Sequence, residues 1–366
     1  MNKEYIVVIR TGEAEIRATQ NTKKETLEKI FPIIELTRGR KKSLEDKTEI
    51  FPYTNRLNKL KESLKDQEVA IDVTSDDSLA SPEIDELFEY GNGYEKWVDF
   101  ISGIKEEGCF RSIVPALIMN FDDPTFEENL IGEIVQLSKF CDMLLYRNSI
   151  EDEYCYTDLP LILKHLPQGK RLLVLIDCGY TSQAMENNVS QKLLRRIENF
   201  KKGLIDERCE LAFCATSFPN NIGDIGGENN DEFKIAEVDI HKKILAHYTD
   251  VCYGDYGSIN PKRNDNITMS RDWIPRIDVP LFETVYYYRE RRAKRAYVDT
   301  YKEVARKVSK DSKYPRELDC WGCSQITHCC TLPPSSSPSY WISVRMNIHI
   351  EQQLKRLEQF NASKRR

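Results

Sequence analysis

Short apolar runs recur along the chain, and each ends in a polar or charged residue. They do not alternate apolar with polar positions, as a half-exposed strand would. Runs of this kind are typical of strands buried on both faces, as in a parallel sheet. Eight such runs occur, at residues 5–10, 30–36, 68–73, 112–120, 142–148, 171–177, 210–217 and 250–255.

The intervals between these runs carry helical periodicity. Leu57, Leu60 and Leu64 are spaced by three and four residues, and the apolar positions of 126–137 and 189–204 follow the same rule. This spacing places apolar side chains on one face of a helix and leaves charged residues on the other. Parallel strands need long crossover connections, and these helices provide them.

Eight strands alternating with helices predict an α/β fold, a (β/α)8 TIM-like barrel over residues 1–255. A doubly wound open sheet is the alternative, because a count of strands does not show that a sheet closes. An open sheet has two edge strands, and edges are usually short, charged or interrupted. The eight runs are all core-like, which favours the barrel.

The last third of the chain, residues 256–366, has no strand series of this kind and predicts a helical and loop extension packed on the barrel. Its basic segment 286–308 predicts a helix. The stretch "CWGCSQITHCC" at 320–330 predicts a cysteine-rich loop, and apolar spacing predicts a terminal helix over 345–362.

Composition narrows the class of protein. Of 366 residues, 31% are charged and 40% hydrophobic, and the net charge is −6, which gives no general attraction to nucleic acid or anionic lipid. No apolar run is long enough to span a bilayer, and the N-terminus lacks the pattern of a secretory signal. We therefore expect a cytoplasmic protein without membrane contact, whose eleven cysteines are reduced thiols.

Barrel strands deliver the polar residues at their carboxyl ends to one rim, where such enzymes place their sites. Carboxylates there can hold Mg²⁺ or Mn²⁺ or act as acid and base, and arginines favour a phosphate or carboxylate ligand. A structural ion-pair network is the alternative for the two arginines. The rim is predicted to gather Arg10, Glu35, Asp72, Asn120, Arg147, Asp177, Thr216, Ser217 and Asp255.

The cysteine-rich segment offers a weak set of metal ligands. Cys320 and Cys323 form a C-x-x-C, and His328 and Cys329 follow closely. Zinc sites usually separate their two ligand pairs by a dozen or more residues. We therefore do not expect zinc at this segment.

Several short pieces, in order along most of the chain, resemble the protein beta family of phages and bacterial mobile islands. The resemblance aligns the family's N-terminal basic position with Arg10, and its terminal Asn and His with Asn347 and His349. It makes His349 a candidate acid/base group, with a packing or capping histidine as the alternative. The pieces are "FPIIEL" (31–36), "AIDV" (70–73), "IVPALI" (113–118), "LIDCG" (175–179), "TSFP" (216–219), "YGDYGSINP" (253–261) and "YWISVRMNIHI" (340–350).

The resemblance implies an anti-phage defence role with protein partners from the same multi-gene locus, but no settled reaction. Our hypothesis is a hydrolase acting on a phosphate-containing substrate, either a nucleotide or nucleic acid. A non-catalytic sensor or toxin-neutralising partner is the alternative, and the oligomeric state stays open. The catalytic candidates are Glu35, Asp72, Asp177, Asp255 and His349, and the candidate substrate contacts are Arg10, Arg147, Ser217, Tyr256 and Asn347.

Overall fold

The computed structural model describes residues 3–43, 48–220, 228–262 and 273–364. Within these ranges the strands are β1 Tyr5–Arg10, β2 Ile30–Leu36, β3 Lys42–Ser43, β4 Glu49–Ile50, β5 Glu68–Val73, β6 Ser112–Pro115, β7 Met143–Ser149, β8 Arg171–Tyr180, β9 Cys209–Thr216, β10 Asn230–Lys234, β11 Cys252–Asp255, β12 Arg276–Pro280 and β13 Thr284–Arg289. The helices are α1 Glu13–Gln20, α2 Lys24–Lys29, α3 Thr54–Ser63, α4 Pro82–Asp85, α5 Glu95–Glu106, α6 Phe126–Ser138, α7 Cys155–His165, α8 Glu186–Asn199, α9 Ala236–Leu245, α10 Tyr297–Lys310, α11 Trp321–Cys329 and α12 Pro338–Lys364.

Eight strands pair in parallel to form one sheet, in the order β6-β5-β2-β1-β11-β9-β8-β7. The two end strands meet through a parallel bridge between Ala116 and Leu145. There the amide of Leu117 donates to the carbonyl oxygen of Leu145 at 2.8 Å. The sheet therefore closes on itself. This confirms the predicted (β/α)8 barrel over the open-sheet alternative.

The barrel interior is a packed core made by alternate residues of each strand. Ile6 and Val8 of β1, for example, pack with Leu145 and Leu173 inside the barrel. Val7, between them, belongs to the cluster shared with the outer helices. Because successive side chains of a strand point to opposite faces, only every second residue at a strand end can reach the mouth.

Helix α12 completes the ring of outer helices. It contacts α1 and β1, and its Met346, Ile350, Leu354 and Leu357 belong to the same core cluster as the barrel wall. The chain therefore inserts residues 256–337 between the last barrel strand and the helix that covers it. Although α12 has 27 residues, no helix among the described residues is long and apolar enough to cross a membrane.

The insertion has a small core of its own. Strands β12 and β13 pair antiparallel, and β13 also pairs with β10, which comes from the loop between β9 and α9. Helices α10 and α11 pack on this sheet and on α12 through Ile277, Tyr286, Val304, Ile326 and Ile348. Because β10 leaves the barrel on the carboxyl side of β9, the small sheet is tied to the mouth side.

Two predicted elements of this region were wrong. The predicted helix over 286–308 is a strand up to Arg289, and only α10 from Tyr297 is helical. Five of the six residues of β13, "TVYYYR", are β-branched or aromatic, and such side chains favour a strand that has a partner to pack against. The predicted loop at 320–330 is helix α11, which begins where the Cys323 amide donates to the Cys320 Sγ at 3.4 Å.

Candidate functional site

Charged side chains from neighbouring strands meet inside the mouth of the barrel. Arg10, Glu35 and Asp72 lie at one level, because Arg10 pairs in register with Glu35, and Glu35 with Asp72. Each follows the alternation of the interior residues of its strand. Arg147 of β7 and Asp177 of β8 enter from the other side of the barrel.

Arg147 lies at the centre of this network. Its Nη1 donates to Glu35 Oε2 at 2.7 Å and to Asp72 Oδ2 at 2.6 Å. Its Nε and Nη2 donate to Asp177 Oδ2 at 3.0 and 2.8 Å, and Nη2 also donates to the Tyr256 hydroxyl at 2.8 Å. A guanidinium has five N–H groups. All five are therefore used within the protein, although the Arg147 side chain is still 17% exposed.

Glu35 bridges the two arginines of the mouth. Its second oxygen, Oε1, accepts from Arg10 Nε at 2.9 Å. The remaining Arg10 nitrogens donate to backbone carbonyl groups of the segment that follows β11, at Asn260 (3.2 Å) and at Pro261. Arg10 therefore links the mouth to the start of the insertion.

The acids are also held by neutral donors. The Tyr256 hydroxyl donates to Asp177 Oδ2 at 2.6 Å, and the Gly179 amide donates to Asp177 Oδ1 at 2.8 Å. The Cys214 thiol lies 3.4 Å from the same Oδ1. Asp72 Oδ1 accepts from the Val73 amide at 2.8 Å. These bonds fix the orientation of each carboxylate.

The environments of the three acids separate their pKa values. Burial raises the pKa of Asp72, and the nearby Glu35 carboxylate adds to the effect against the opposing charge of Arg147. Burial also opposes ionisation of Asp177, but Arg147, Tyr256 and the Gly179 amide together hold its pKa below the usual value. Arg10 and Arg147 likewise overcome burial and lower the pKa of Glu35. Adjacent acids with pKa values pushed apart are suited to acid/base chemistry.

The cost of this arrangement indicates a role beyond stability. Buried ion pairs are often no more stabilising than apolar residues of similar volume, because removing the charges from water costs several kcal/mol per ion. Perturbed acids in a cleft at a barrel mouth are candidates for a functional site. The mouth network, which we define as Arg10, Glu35, Asp72, Arg147, Asp177 and Tyr256, is therefore the candidate site.

Comparison with known proteins identifies the family. The sequence model of the Beta protein family matches residues 5–355. The chain belongs to the Beta protein family. Protein beta of Enterobacteria phage P4 is 27% identical over 364 residues, which cover 96% of this chain and 93% of the phage protein. The predicted resemblance is thereby confirmed.

A solved structure is also similar, but only distantly. Xylanase10C of Cellvibrio japonicus, in complex with xylopentaose, has a TM-score of 0.34 and 11% identity with this member of the Beta protein family. The similarity covers 69% of this chain and 58% of the xylanase chain. A structural similarity this low does not indicate a shared function.

Asp255 does not reach the mouth of this Beta protein family member, contrary to the prediction that it shares the rim with the other acids. Its Oδ2 lies 2.8 Å from His349 Nε2 and accepts from the Tyr253 hydroxyl at 2.9 Å. Its Oδ1 accepts from the Tyr5 hydroxyl and the Gly257 amide. Tyr5 and Tyr253 belong to the outer core. Asp255 therefore lies on the outer face of the wall, because a shift of one residue along a strand reverses the direction of its side chain.

His349 joins Asp255 in this outer cluster, so the two predicted catalytic residues lie together but away from the mouth. Glu237 of α9 is close to both, and one potential ligand atom from each of the three lies within 4.8 Å of the others. This is the one group of three or more potential metal ligands among the described residues. However, both Asp255 oxygens already accept two hydrogen bonds each, so a cation would have to displace donors.

Two further predicted substrate contacts lie outside the mouth. Ser217 is hydrogen-bonded to the Glu237 carboxyl, whose pKa is raised to about 7 by burial and by the neighbouring Asp255 charge. Asn347 is fully buried: its Oδ1 accepts from the Gly322 amide at 2.8 Å and its Nδ2 donates to Thr22 Oγ1 at 3.1 Å. Asn347 therefore joins α12 to α11 and to the end of α1.

The four weak metal candidates of the cysteine-rich segment are not brought together. Cys323 and Cys329 pack in the core of the insertion, and Cys320 begins α11. His328 is exposed on the other side of the same helix. The thiols of Cys320 and Cys323 are hydrogen-bonded to each other, but the helix places His328 on another face.

Sequence reasoning missed a second charged cluster beside the mouth. Asp278 of β12 accepts hydrogen bonds from Arg276 Nε and from Arg345 Nη1, the latter at 3.1 Å. Arg345 also donates to the Ser258 side chain and carbonyl group. The signal was present, because Arg345 interrupts the apolar run "YWISVRMNIHI" of a buried helix.

Proposed function

We propose that this chain is an anti-phage defence component whose barrel mouth hydrolyses a phosphate-containing substrate, either a nucleotide or nucleic acid. The observation that carries the proposal is the arrangement around Arg147, which three carboxylates contact at the carboxyl end of a closed barrel. The resemblance to the protein beta family, in which defence is the expected context, supports the biological setting.

The two arginines would bind the anionic part of the substrate. Guanidinium groups present paired N–H donors that match the oxygen atoms of a phosphate. Since all five N–H groups of Arg147 are occupied, the phosphate would replace one or more of the carboxylates at the guanidinium. The Arg147 side chain, at 17% exposed, is open to this exchange from the solvent side.

The carboxylates displaced in this way would be free to act on the substrate. Asp177 has a lowered pKa and is ionised, so it can accept a proton from an attacking water. Asp72 has a raised pKa and is the better proton donor to a leaving group. Tyr256 would keep Asp177 oriented through its 2.6 Å hydrogen bond.

Charge balance favours a divalent cation as part of the proposal. With Asp72 in its proton-donating form, the two remaining carboxylates and the two guanidinium groups of the mouth network balance, so a bound phosphate would bring excess negative charge. Mg²⁺ or Mn²⁺ prefers carboxylate and phosphate oxygens and would offset this charge. Glu35 and Asp177 keep their charge and are the residues that would hold it, after a movement that brings their oxygens together, since Arg147 lies between them in this structure.

A hydrolysis assay tests this proposal. The purified chain is incubated with nucleoside triphosphates and with single- and double-stranded nucleic acids, in Mg²⁺, in Mn²⁺ or in EDTA, and phosphate release and strand cleavage are measured. We expect turnover of at least one substrate, its loss in EDTA, and a decrease of at least 100-fold in Asp177→Asn. Turnover by Asp177→Asn equal to that of the wild type would contradict the assignment of the site.

The matched control is Asp158→Asn. Asp158 is a buried acid on α7 that accepts from the Tyr146 hydroxyl at 2.8 Å, outside the barrel interior. The substitution makes the same chemical change at a comparable depth without touching the mouth network. We expect it to keep wild-type turnover, which would separate loss of chemistry from loss of folding.

A second candidate function is a non-catalytic partner-binding role, supported by an exposed aromatic pair on the same rim. Phe121 and Tyr154 are 47% and 57% exposed. Their rings stack with centroids 4.5 Å apart. They lie in the loops after β6 and β7, and large exposed aromatic side chains are enriched at the centres of protein interfaces. The partner would be a protein encoded in the same locus.

Co-purification with the products of neighbouring genes distinguishes the two candidates. If partner binding is the function, Phe121→Ala with Tyr154→Ala should abolish capture and protection from phage, and Asp177→Asn should affect neither. Val298→Ala, at an exposed apolar position on α10 in the insertion, is the control. Capture that survives the double substitution would rule out this surface.

A further inference from the structure

Two arginines and one acid are buried together next to the barrel mouth. Arg276 and Arg345 are 6% and 5% exposed, and both pair with Asp278. Arg345 reaches the mouth side because it donates to Ser258, in the segment that follows β11. Since one carboxylate serves two guanidinium groups, this cluster has an excess positive charge.

The unsatisfied donors of the cluster belong to Arg276. Its Nη1 and Nη2 atoms are buried and have no hydrogen-bond partner in the described part of the chain. A buried donor without a partner destabilises the folded state, and a charged donor does so more strongly. In a native protein such groups usually indicate a bound water, ion or ligand.

A third unsatisfied group lies beside them. The Tyr287 hydroxyl is buried without a partner, and its side chain is fully enclosed. The Arg276 guanidinium stacks over this tyrosine, with Cζ 4.4 Å from the ring centroid. The ring of Phe218 packs under Arg345, whose Cζ is 3.5 Å from its centroid. The aromatic rings thus hold both guanidinium groups in place while the Arg276 fork stays unpaired.

The electrostatics of the cluster favour an anionic ligand. Burial and the adjacent Arg276 charge together lower the pKa of Arg345 to about 10, against the opposing effect of Asp278. A negative ligand would relieve this repulsion. Arginine is suited to this role because its planar fork binds two oxygens of one phosphate at once.

We propose that Arg276 and the Tyr287 hydroxyl form a second oxyanion site, which binds a phosphate group beside the barrel mouth. Arg345 and Asp278 are positioning residues, since Asp278 holds both guanidinium groups. The site is separate from Arg10 and Arg147 and does not depend on hydrolysis at the mouth.

Thermal unfolding of the full chain in inorganic phosphate tests this inference, with sodium chloride at equal ionic strength as the reference. A ligand that binds only the folded state raises the melting temperature with its concentration. We expect a phosphate-dependent rise for the wild type that Arg276→Gln reduces at least tenfold in apparent affinity. Arg291→Gln, at an exposed arginine of the same insertion, should keep the full response.

A second variant covers the case in which Arg276→Gln does not fold. Tyr287→Phe removes only the hydroxyl and keeps the ring under Arg276, so it should fold and weaken the phosphate response several-fold. A parallel titration with AMP distinguishes free phosphate from a nucleotide phosphate, because a nucleotide site should favour AMP. No phosphate response in the wild type, or an unchanged response in both variants, would overturn the proposal.

Discussion

At the scale of single residues, Arg147 determines the state of the mouth. One guanidinium contacts three carboxylates and a phenol, which a lysine could not do because an ammonium offers three donors around one point. The acids therefore remain close together only while Arg147 lies between them. Its removal should leave three negative charges in a largely buried space.

The first prediction follows from that charge. Arg147→Met should lower the free energy of unfolding by roughly 3–5 kcal/mol at pH 7, as is usual when one member of a buried charge network is removed. The loss should be smaller at pH 5, where unpaired carboxylates of raised pKa become protonated. Urea denaturation at both pH values measures it. Arg171→Met, which breaks an exposed ion pair with Glu210, should cost about 1 kcal/mol or less.

An equal loss for Arg147→Met at both pH values would show that packing, and not charge, accounts for the effect. The Arg171 variant guards against a general effect of replacing arginine. Together the two variants separate the mouth network from ordinary surface pairing.

The second prediction concerns Glu237, whose pKa is raised to about 7 from an ordinary 4.5 by burial and by Asp255. The folded state holds this proton more tightly than the unfolded chain, so the contribution of Glu237 to stability decreases as pH rises from 4.5 to 7. The total decrease is roughly 3 kcal/mol, at 1.36 kcal/mol per pKa unit.

Glu237→Gln should remove that dependence. The variant should match the wild type near pH 4 and exceed its stability at pH 8, and the difference between the two cancels all other titrating groups. Urea denaturation across this range measures the difference. A difference that stays constant with pH would mean that the pKa of Glu237 is the same in the folded and the unfolded state.

At the scale of elements, α12 is attached to the barrel by buried polar contacts as well as by apolar packing. His349 and Asn347, both buried, bind the barrel wall and the first helix. The third prediction is that His349→Ala lowers the free energy of unfolding by roughly 3 kcal/mol, since Asp255 loses a buried partner. In the His349→Ala variant, backbone amides should exchange faster in α12 than in α6.

His328→Ala is the control for this prediction, because His328 is exposed on α11 and surface changes usually stay within about 0.5 kcal/mol. If His349→Ala were as stable as His328→Ala, the Asp255–His349 pair would not anchor the helix. Uniform exchange in both helices would lead to the same conclusion.

The elements themselves were predictable to different degrees. Strands buried on both faces are continuous apolar runs in the sequence, and all eight barrel strands were predicted from such runs. The small sheet was missed because β13, "TVYYYR", depends on partners far away in sequence, β10 and β12. Helix α11 was missed because cysteine and glycine are weak helix formers, and its buried face depends on contact with α12.

At the scale of the whole molecule, the recurring apolar runs predict the barrel, and the barrel in turn predicts the position of its mouth. Five charged residues were expected at one rim, and the structure links all of them by hydrogen bonds through Arg147 and Glu35: Arg10, Glu35, Asp72, Arg147 and Asp177. The prediction for Asp255 was wrong because the end of a strand does not show whether its last side chain points into the barrel or outwards. The inward position next to it is occupied by Gly254, which has no side chain to mark the face.

The bonding within the mouth could not be read from the sequence either. Position along the strands brings charges together, but which donor meets which acceptor depends on side-chain reach across the barrel. The Arg276 cluster was hidden for the same reason, since its members come from β12 and α12, two elements separated by most of the insertion. Charge pairs between residues far apart in sequence can be predicted only when the fold is known.

The most direct test of the central claim, that the mouth network carries the biological activity, is a plaque assay. The chain is expressed from its native gene neighbourhood as wild type, Asp72→Asn, Asp177→Asn or Asp158→Asn, at matched soluble levels, and the cells are challenged with a panel of phages. We predict that the wild type and Asp158→Asn reduce plaque formation equally, and that both mouth variants fall to the level of the empty vector. Full protection by Asp72→Asn and Asp177→Asn would contradict the account.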